Sequence, residues 1–215
     1  MQRLRVKFSR GQEVKFISHL DIMRLWQRAL HRAGVSLAYS DGFTPHPRIS
    51  LAAPLALGIT SQAELMDVFC TNWVSPHWFT TAVGRQLPLG VEVVKVHLVS
   101  PNLPSLQSQV RQAEYKVEVA TEKGPPEVAA ALTSLLSVEH FPWQHQRDTG
   151  PRSYDLRPLI DDLWLIDCLG GRSTIGMRLR CSGSGSGRPE QVTAALGFAQ
   201  RPISMHRTIL ILETS

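Results

Sequence analysis

The sequence predicts an α+β protein made of two tandem ferredoxin-like halves, each a split βαβ unit. Three observations carry this. Over the first hundred residues, alternating and helical apolar periods follow one another in the order strand, helix, strands, helix, strand. A Pro/Ser-rich stretch, Ser100–Ser108, then interrupts the pattern as a linker would. Beyond it the same theme returns without obvious sequence identity. The expected domains are residues 1–100 and 109–215.

Residues 3–8 (RLRVKF) alternate polar and apolar and read as a half-buried strand. Ser18 offers a helix N-cap, with Asp21 three residues on as in a capping box. Ile22, Leu25, Trp26, Ala29, Leu30 and Ala33 then fall on one helical face, and Gly34 suits the residue just past the helix end. Val35–Tyr39 and Ile49–Ala53 are short strand candidates flanking a Pro-His-Pro turn. Ala63–Cys70 reads as a strand, Ser75 caps a helix through about Arg85, and Val91–Val99 alternates most clearly of all. In the second half Glu114–Thr121 alternates, and Pro125–Val138 is an Ala/Leu-rich helix opened by prolines. Ser153–Leu159 and Leu163–Leu169 are strand or turn segments, and Ser173–Cys181 is a strand. After the Gly-Ser run 182–187, Arg188-Pro189 opens a short helix to about Phe198, and His206–Leu212 ends the pattern as a strand.

Composition bounds the function. The 215 residues are 43% hydrophobic and 19% charged, as in ordinary soluble globular proteins. A net charge of +5 is a mild basic excess, compatible with an RNA or phosphate partner. The first residues lack the apolar core of a secretory signal, and no window approaches the roughly 20 apolar residues of a membrane helix. A cytoplasmic protein without membrane contact is expected. Cys70, Cys168 and Cys181 are widely separated and include no C-x-x-C pair, which argues against a disulfide scaffold or a structural zinc site. They read as small buried apolar residues, with Cys168 and Cys181 as possible cross-strand neighbours.

The chemistry concentrates between Phe16 and Arg48, a run holding three His and four Arg. Arg24, Arg28 and Arg32 fall at i, i+4 and i+8, a ridge roughly 12 Å long at the usual rise per residue. His31 stands beside it. Guanidinium groups bind phosphates bidentately, so the ridge suits a nucleic-acid backbone. The plainer alternative is a solvated face, with Asp21 pairing to Arg24 or Arg28. The loop Asp41–Arg48 follows, in which Pro45 and Pro47 fix their φ angles and bias Thr44 and His46 toward extended geometry. That stiffness holds His46 and Arg48 in place. Phe43 offers a stacking face for a base if exposed, or plugs the core if not.

His19 lies in the first helical turn, where the positive dipole end favours a neutral imidazole. With His46 it could form an acid–base pair for RNA cleavage. No metal-ligand spacing is present, and no cofactor is expected. In the second half, Gly183, Gly185 and Gly187 lead into a helix N-terminus, an arrangement that can receive phosphate, although the same composition also suits a flexible hairpin. The Lys-Ser/Thr ending of a nucleotide-triphosphate loop is missing. Arg188 is the candidate cation there; Arg152, Arg157, His206 and Arg207 are further basic groups that no spacing singles out. The five tryptophans are most simply packing residues.

Four segments carry a resemblance: Ile17–Asp21 (ISHLD), Arg28–Gly34 (RALHRAG), Tyr39–Ser50 (YSDGFTPHPRIS) and Pro54–Gly58 (PLALG). Together they resemble the radical-SAM-linked domain family of unknown function, found fused to or encoded beside cobalamin-binding-type radical SAM proteins. Residues 152–158, Arg188-Pro189-Glu190 and His206-Arg207-Thr208 look like its later landmarks. The resemblance implies a radical SAM partner, and the family's genomic company with ribonuclease and ribosomal genes favours RNA. It assigns no catalytic residue. The tandem halves are also similar to the repeat-processing endoribonucleases of CRISPR systems, an analogy of fold only.

These readings converge on a non-catalytic RNA- or tRNA-recognition module serving a radical SAM enzyme in trans. Arg24, Arg28, Arg32 and Arg48 would hold phosphates, Tyr39 and Phe43 would stack on bases, and His19 and His46 would complete the pocket. The alternatives are a metal-independent endoribonuclease using His19 and His46, or a pure protein-interaction domain.

Overall fold

The computed structural model describes residues 1–147, 150–183 and 185–213, with the backbone alone at 145–147 and 152. It is an α+β protein with five α-helices among the described residues. The chain divides into two compact units: Met1–Val110 with the chain end from Leu212, and Arg111–Ile211. No helix among the described residues is long and apolar enough to cross a membrane.

Unit 1 runs β1 (Gln2–Arg10), α1 (His19–Arg32), β2 (Ile49–Leu51), β3 (Thr60–Cys70), α2 (Pro76–Gly84), β4 (Val91–Val99) and the one-turn α3 (Leu106–Gln109). Its strands lie in the order β4-β1-β3-β2, each pair antiparallel, with Arg5 opposite both Asp67 and His97. Alternation along β1 sends Leu4, Val6 and Phe8 to one face, where they pack with Ile22, Leu25, Trp26, Ala29 and Leu30 of α1 and with Phe79 and Val83 of α2. Trp26 meets Phe8 edge to face with ring centroids 4.9 Å apart. Burial of each Val, Leu, Ile or Phe side chain among them contributes roughly 1.5–3 kcal/mol.

α1 begins and ends where local chemistry dictates. The Ser18 hydroxyl accepts from the Asp21 backbone N–H at 3.2 Å and donates to the Asp21 carboxylate at 2.7 Å. At the other end Gly34 adopts φ +78°, the Gly34 N–H donates to the His31 carbonyl, and Val35 N–H reaches back to Leu30. The expected strand at Val35–Tyr39 does not form. Only isolated bridges link Leu37 to Cys70 and Tyr39 to Pro47, because Pro45 and Pro47 lack the donors a continuous ladder needs.

The other face of β1 is not the solvated side that its alternation predicts. Arg3 and Arg5 are both buried there on Asp67, which is itself wholly inaccessible. Arg3 donates to Asp67 at 2.6 and 2.9 Å and to the carbonyls of Leu103 and Pro104 at 2.7 and 2.9 Å. Arg5 donates to Asp67 at 2.8 and 3.0 Å. The Pro/Ser-rich segment read as a linker is therefore a lid bonded to β1, and it carries α3, capped by Ser105.

Unit 2 runs β5 (Val110–Ala120), α4 (Pro125–Ser137), β6 (Pro142–Arg147), β7 (Gly150–Asp155), β8 (Ile160–Leu169), β9 (Arg172–Ser182), β10 (Gly185–Ser186), α5 (Pro189–Ala195) and β11 (Ser204–Leu212). The strand order is β8-β9-β5-β11, with β10 beside the end of β9. β6 and β7 form a separate antiparallel hairpin. Sequence reasoning missed β6 because PWQHQR shows no apolar alternation. Trp164 lies across from Gly176, where a Cβ would stand 2.0 Å from the indole, so the glycine makes room for the ring. Cys168 pairs with Ser173 rather than standing across from Cys181. Cys70 and Cys181 are buried, and burial pushes the Cys70 thiol up to about 11.

Candidate nucleic-acid interface

The basic helix presents its cations to solvent. Arg24, Arg28, His31 and Arg32 are all exposed, opposite the apolar stripe. Arg24 donates to Asp21 at 3.2 Å in a solvated pair, and Ser18 is the main cause that holds the Asp21 carboxyl below its usual range. Water screens such a pair, so it holds the Arg24 cation only loosely. Arg32 Nε donates to the Arg28 carbonyl. Among the described residues no carboxylate forms an ion pair with Arg28, Arg32 or Arg48.

The Pro-His-Pro loop is a closed arch. The Ser40 N–H donates to the His46 carbonyl at 2.9 Å, the His46 N–H donates to the Ser40 hydroxyl at 3.0 Å, and the Arg48 N–H donates to Ala38. Its base is fixed to β3 by the Ala38 and Phe69 backbones. The Arg48 guanidinium lies 4.5 Å over the Phe69 ring and 3.2 Å from Met1 Sδ. At the tip Phe43 is fully exposed, and Tyr39 is 54% exposed. Phe43 therefore stands in solvent and does not plug the core.

These anchors put the arch at the Gln2 end of β1, the end reached by the last turn of α1. Arg32 and His31 share that end with Tyr39, Phe43, His46 and Arg48. His19 does not. It opens α1 beside the Arg10 end of β1, where Arg10 donates to the Ile17 carbonyl at 2.9 Å. The 14 residues of α1 separate the two ends by about 20 Å. His19 and His46 are not brought together.

Two residues that the sequence assigned to packing lie at the same end as the arch. Trp73 is 74% exposed and Trp78 is 44% exposed, although packing was the expectation for both. They follow β3 in a segment tied to the same end: the Thr71 N–H and hydroxyl donate to Ser36, and the Gln2 side-chain amide bonds both backbone groups of Val74. The sequence held a signal, since Trp73 sits between Asn72 and the cap Ser75, outside any apolar period.

The cations named from the sequence in unit 2 stand in varied settings. Arg188 is exposed at the N-cap of α5. Arg157 spends its guanidinium on the carbonyls of Leu136, Val138 and Ile160. Arg207 is buried on the Tyr115 ring and hydroxyl. Burial is the main cause lowering the His206 imidazole. The side chain of Arg152 lies outside the described residues, as does Ser184 of the glycine run. Around it the glycines serve close approach: a Cβ on Gly187 would meet the Leu159 carbonyl at 2.8 Å, and one on Gly185 would meet the Leu159 side chain at 2.9 Å. At Gly185 and Gly187 the backbone is thus packed against Leu159. A cleft of about 500 Å³ beside β6 and β7 holds His140 and Asp155 2.7 Å apart. Asp155 also accepts from the Phe141 and Arg157 backbones, chiefly Phe141, which keeps its carboxyl low and makes it a turn-closing group. Among the described residues no three His, Cys, Asp or Glu side chains gather as metal ligands.

A family model described as "Uncharacterized protein conserved in bacteria (DUF2344)" matches residues 3–189. The chain belongs to this family. No curated protein matches it. Among solved structures it is similar to a chain of a Cbf5-Nop10-Gar1 complex, with TM-score 0.54 and 8% identity over 96% of this chain and 48% of that one. A chain of an archaeal box H/ACA sRNP Nop10-Cbf5 complex follows at TM-score 0.49 and 8% identity, over 96% and 46% of the two chains. A chain of an H/ACA RNP bound to a substrate RNA containing 2'-deoxyuridine scores 0.46 at 9% identity, over 96% and 46%. The chain spans about half the length of these solved chains. At such identity the first likeness concerns the fold alone.

Proposed function

We propose that this chain is an RNA- or tRNA-recognition module presenting its substrate to a cobalamin-binding-type radical SAM enzyme in trans, and that each unit is a ferredoxin-like half. The observation that carries the RNA reading is the Gln2 end of unit 1, where Arg32 and Arg48, without carboxylate partners among the described residues, stand beside His46 and the exposed rings of Tyr39 and Phe43. Guanidinium groups left in water beside aromatic faces are what a phosphate backbone with accessible bases requires. Arg28 extends the track along α1, while Arg24 contributes behind its Asp21 pair. The ferredoxin-like reading is supported by the strand orders β4-β1-β3-β2 and β11-β5-β9-β8, in each of which an α-helix follows the first of the four strands in sequence and another stands between the third and the fourth. The radical SAM partner rests on the resemblance carried by ISHLD, RALHRAG, YSDGFTPHPRIS and PLALG.

The test is fluorescence anisotropy of the full chain against a labelled tRNA transcript across a salt series. Log affinity should fall linearly with log salt, and Arg28→Ala, Arg32→Ala and Arg48→Ala should each flatten the slope by about one. Absence of salt-dependent binding would leave the protein-interaction reading instead. Because His19 and His46 lie at opposite ends of unit 1, the RNA should stay intact during the measurement; cleavage lost in His46→Ala would favour the nuclease.

A further inference from the structure

We infer that the Gln2 end of unit 1 is a stacking site for unpaired RNA bases, with Trp73 and Trp78 as its platforms. The inference rests on the RNA reading above and deepens it to a substrate class: single-stranded segments such as loops and ends, not duplex.

The argument starts from what the two indoles do not do. The core of unit 1 is already closed by Trp26, Phe8 and Phe79, all fully buried. Trp73 and Trp78 leave most or much of their surface in water, Trp73 on the short segment between β3 and α2 and Trp78 in the first turn of α2. An indole left exposed gains nothing for the fold from its aromatic face. It does gain from a base stacked upon it, by enough to change affinity about tenfold per base.

The segment is also held still. The Gln2 amide donates to the Val74 carbonyl at 2.9 Å and accepts from its N–H at 2.7 Å, while Ser36 accepts from the Thr71 N–H at 2.9 Å. The Phe43 arch is closed by its own backbone bonds and stiffened by Pro45 and Pro47. Rings mounted this way lose little freedom when a ligand arrives. Ser36 and Cys70 link the bases of the two segments directly.

Charge complementarity selects the occupant. Arg48 and Arg32 serve the same end, and neither has a carboxylate partner among the described residues. Cations alone would suit any polyanion. Duplex RNA keeps its bases stacked on one another and offers only phosphates and sugar edges, so exposed tryptophans add nothing to its binding. A single strand offers both phosphates and free base faces.

The experiment uses the full chain and two labelled probes, an oligouridine of about twelve nucleotides and the duplex it forms with oligoadenosine. The single strand should bind at least about tenfold more tightly, and should quench tryptophan fluorescence. Trp73→Ala and Trp78→Ala should each weaken single-strand binding about tenfold while leaving duplex binding and the salt slope unchanged. Trp78→Phe, which keeps a ring and the local packing, should restore most of the affinity. Equal affinity for the two probes, or tryptophan variants that bind the single strand as the parent does, would overturn the stacking site while leaving the RNA reading standing. Failure of both probes to bind would overturn both.

Discussion

Arginines occur in two settings in unit 1, and the contrast between them separates folding from recognition. On β1, Arg3 and Arg5 are taken out of water, and every guanidinium face is met: by the Asp67 carboxylate, by the Leu103 and Pro104 carbonyls, and by Gln109. On α1 and the arch, Arg28, Arg32 and Arg48 keep their hydration. Each arginine of either set counts alike in the net charge of +5, yet only the second set can exchange water for phosphate. The buried group places two cations on one carboxylate, and the remaining charge is solvated by peptide oxygens of the lid. Such a cluster contributes little net stability while intact and costs much when broken.

Breaking the buried set gives the largest expected effect. Asp67→Ala leaves two desolvated guanidiniums without a counter-charge and should destabilise the protein by about 3–5 kcal/mol, read as a lower denaturant midpoint. The exposed set should behave oppositely. Arg28→Ala with Arg32→Ala should leave stability within about 0.5 kcal/mol of the parent by chemical denaturation, while the tRNA-binding salt slope falls by about two. Should the double variant unfold more readily instead, the distinction between the two sets would fail.

A smaller effect tests the scaffold of the exposed set. Ser18→Ala removes the cap that starts α1 and should cost about 1 kcal/mol. The loss would appear in thermal unfolding, with the arch unaffected because it sits at the far end of the helix. The smallest effect sits beside the buried set. Burial chiefly, and then the cations of Arg5 and Lys95, lower the His97 imidazole from its ordinary value. The folded state therefore takes up a proton less readily than the unfolded chain does. The resulting stability is fully present above the ordinary histidine pKa of about 6.5 and declines as pH falls toward the depressed folded value. His97→Gln should flatten the denaturation midpoint between about pH 7 and 5. His206, lowered in the same direction, will keep some slope. An unchanged profile would place the acid sensitivity elsewhere.

Much of the fold was legible along the chain, and the failures share a cause. α1 could be placed because Ser18, the apolar period and Gly34 are local signals that agree with one another. β4 and β5 announced themselves by alternation, and β3 and β9 were also read as strands. The Val35–Tyr39 strand failed because its partner strand carries prolines. The linker at Ser100–Ser108 failed because its composition describes a flexible segment, whereas its carbonyls have long-range partners on β1. Burial of Arg3 and Arg5 was invisible for the same reason, since an Arg-x-Arg alternation reads as a wet face unless something covers it. Trp73 and Trp78 were assigned to packing on residue type alone.

By itself, the order of residues determined the periods, caps and turns, and with them the helix that carries Arg24, Arg28 and Arg32 and the stiffness of the loop around His46. Those depend on neighbours within a few positions, so they can be read locally. Tertiary structure alone decided which cations stay hydrated, which tryptophans face water, and that His19 and His46 stand at opposite ends. Desolvation depends on what covers a group, and that cover comes from residues far away in the chain.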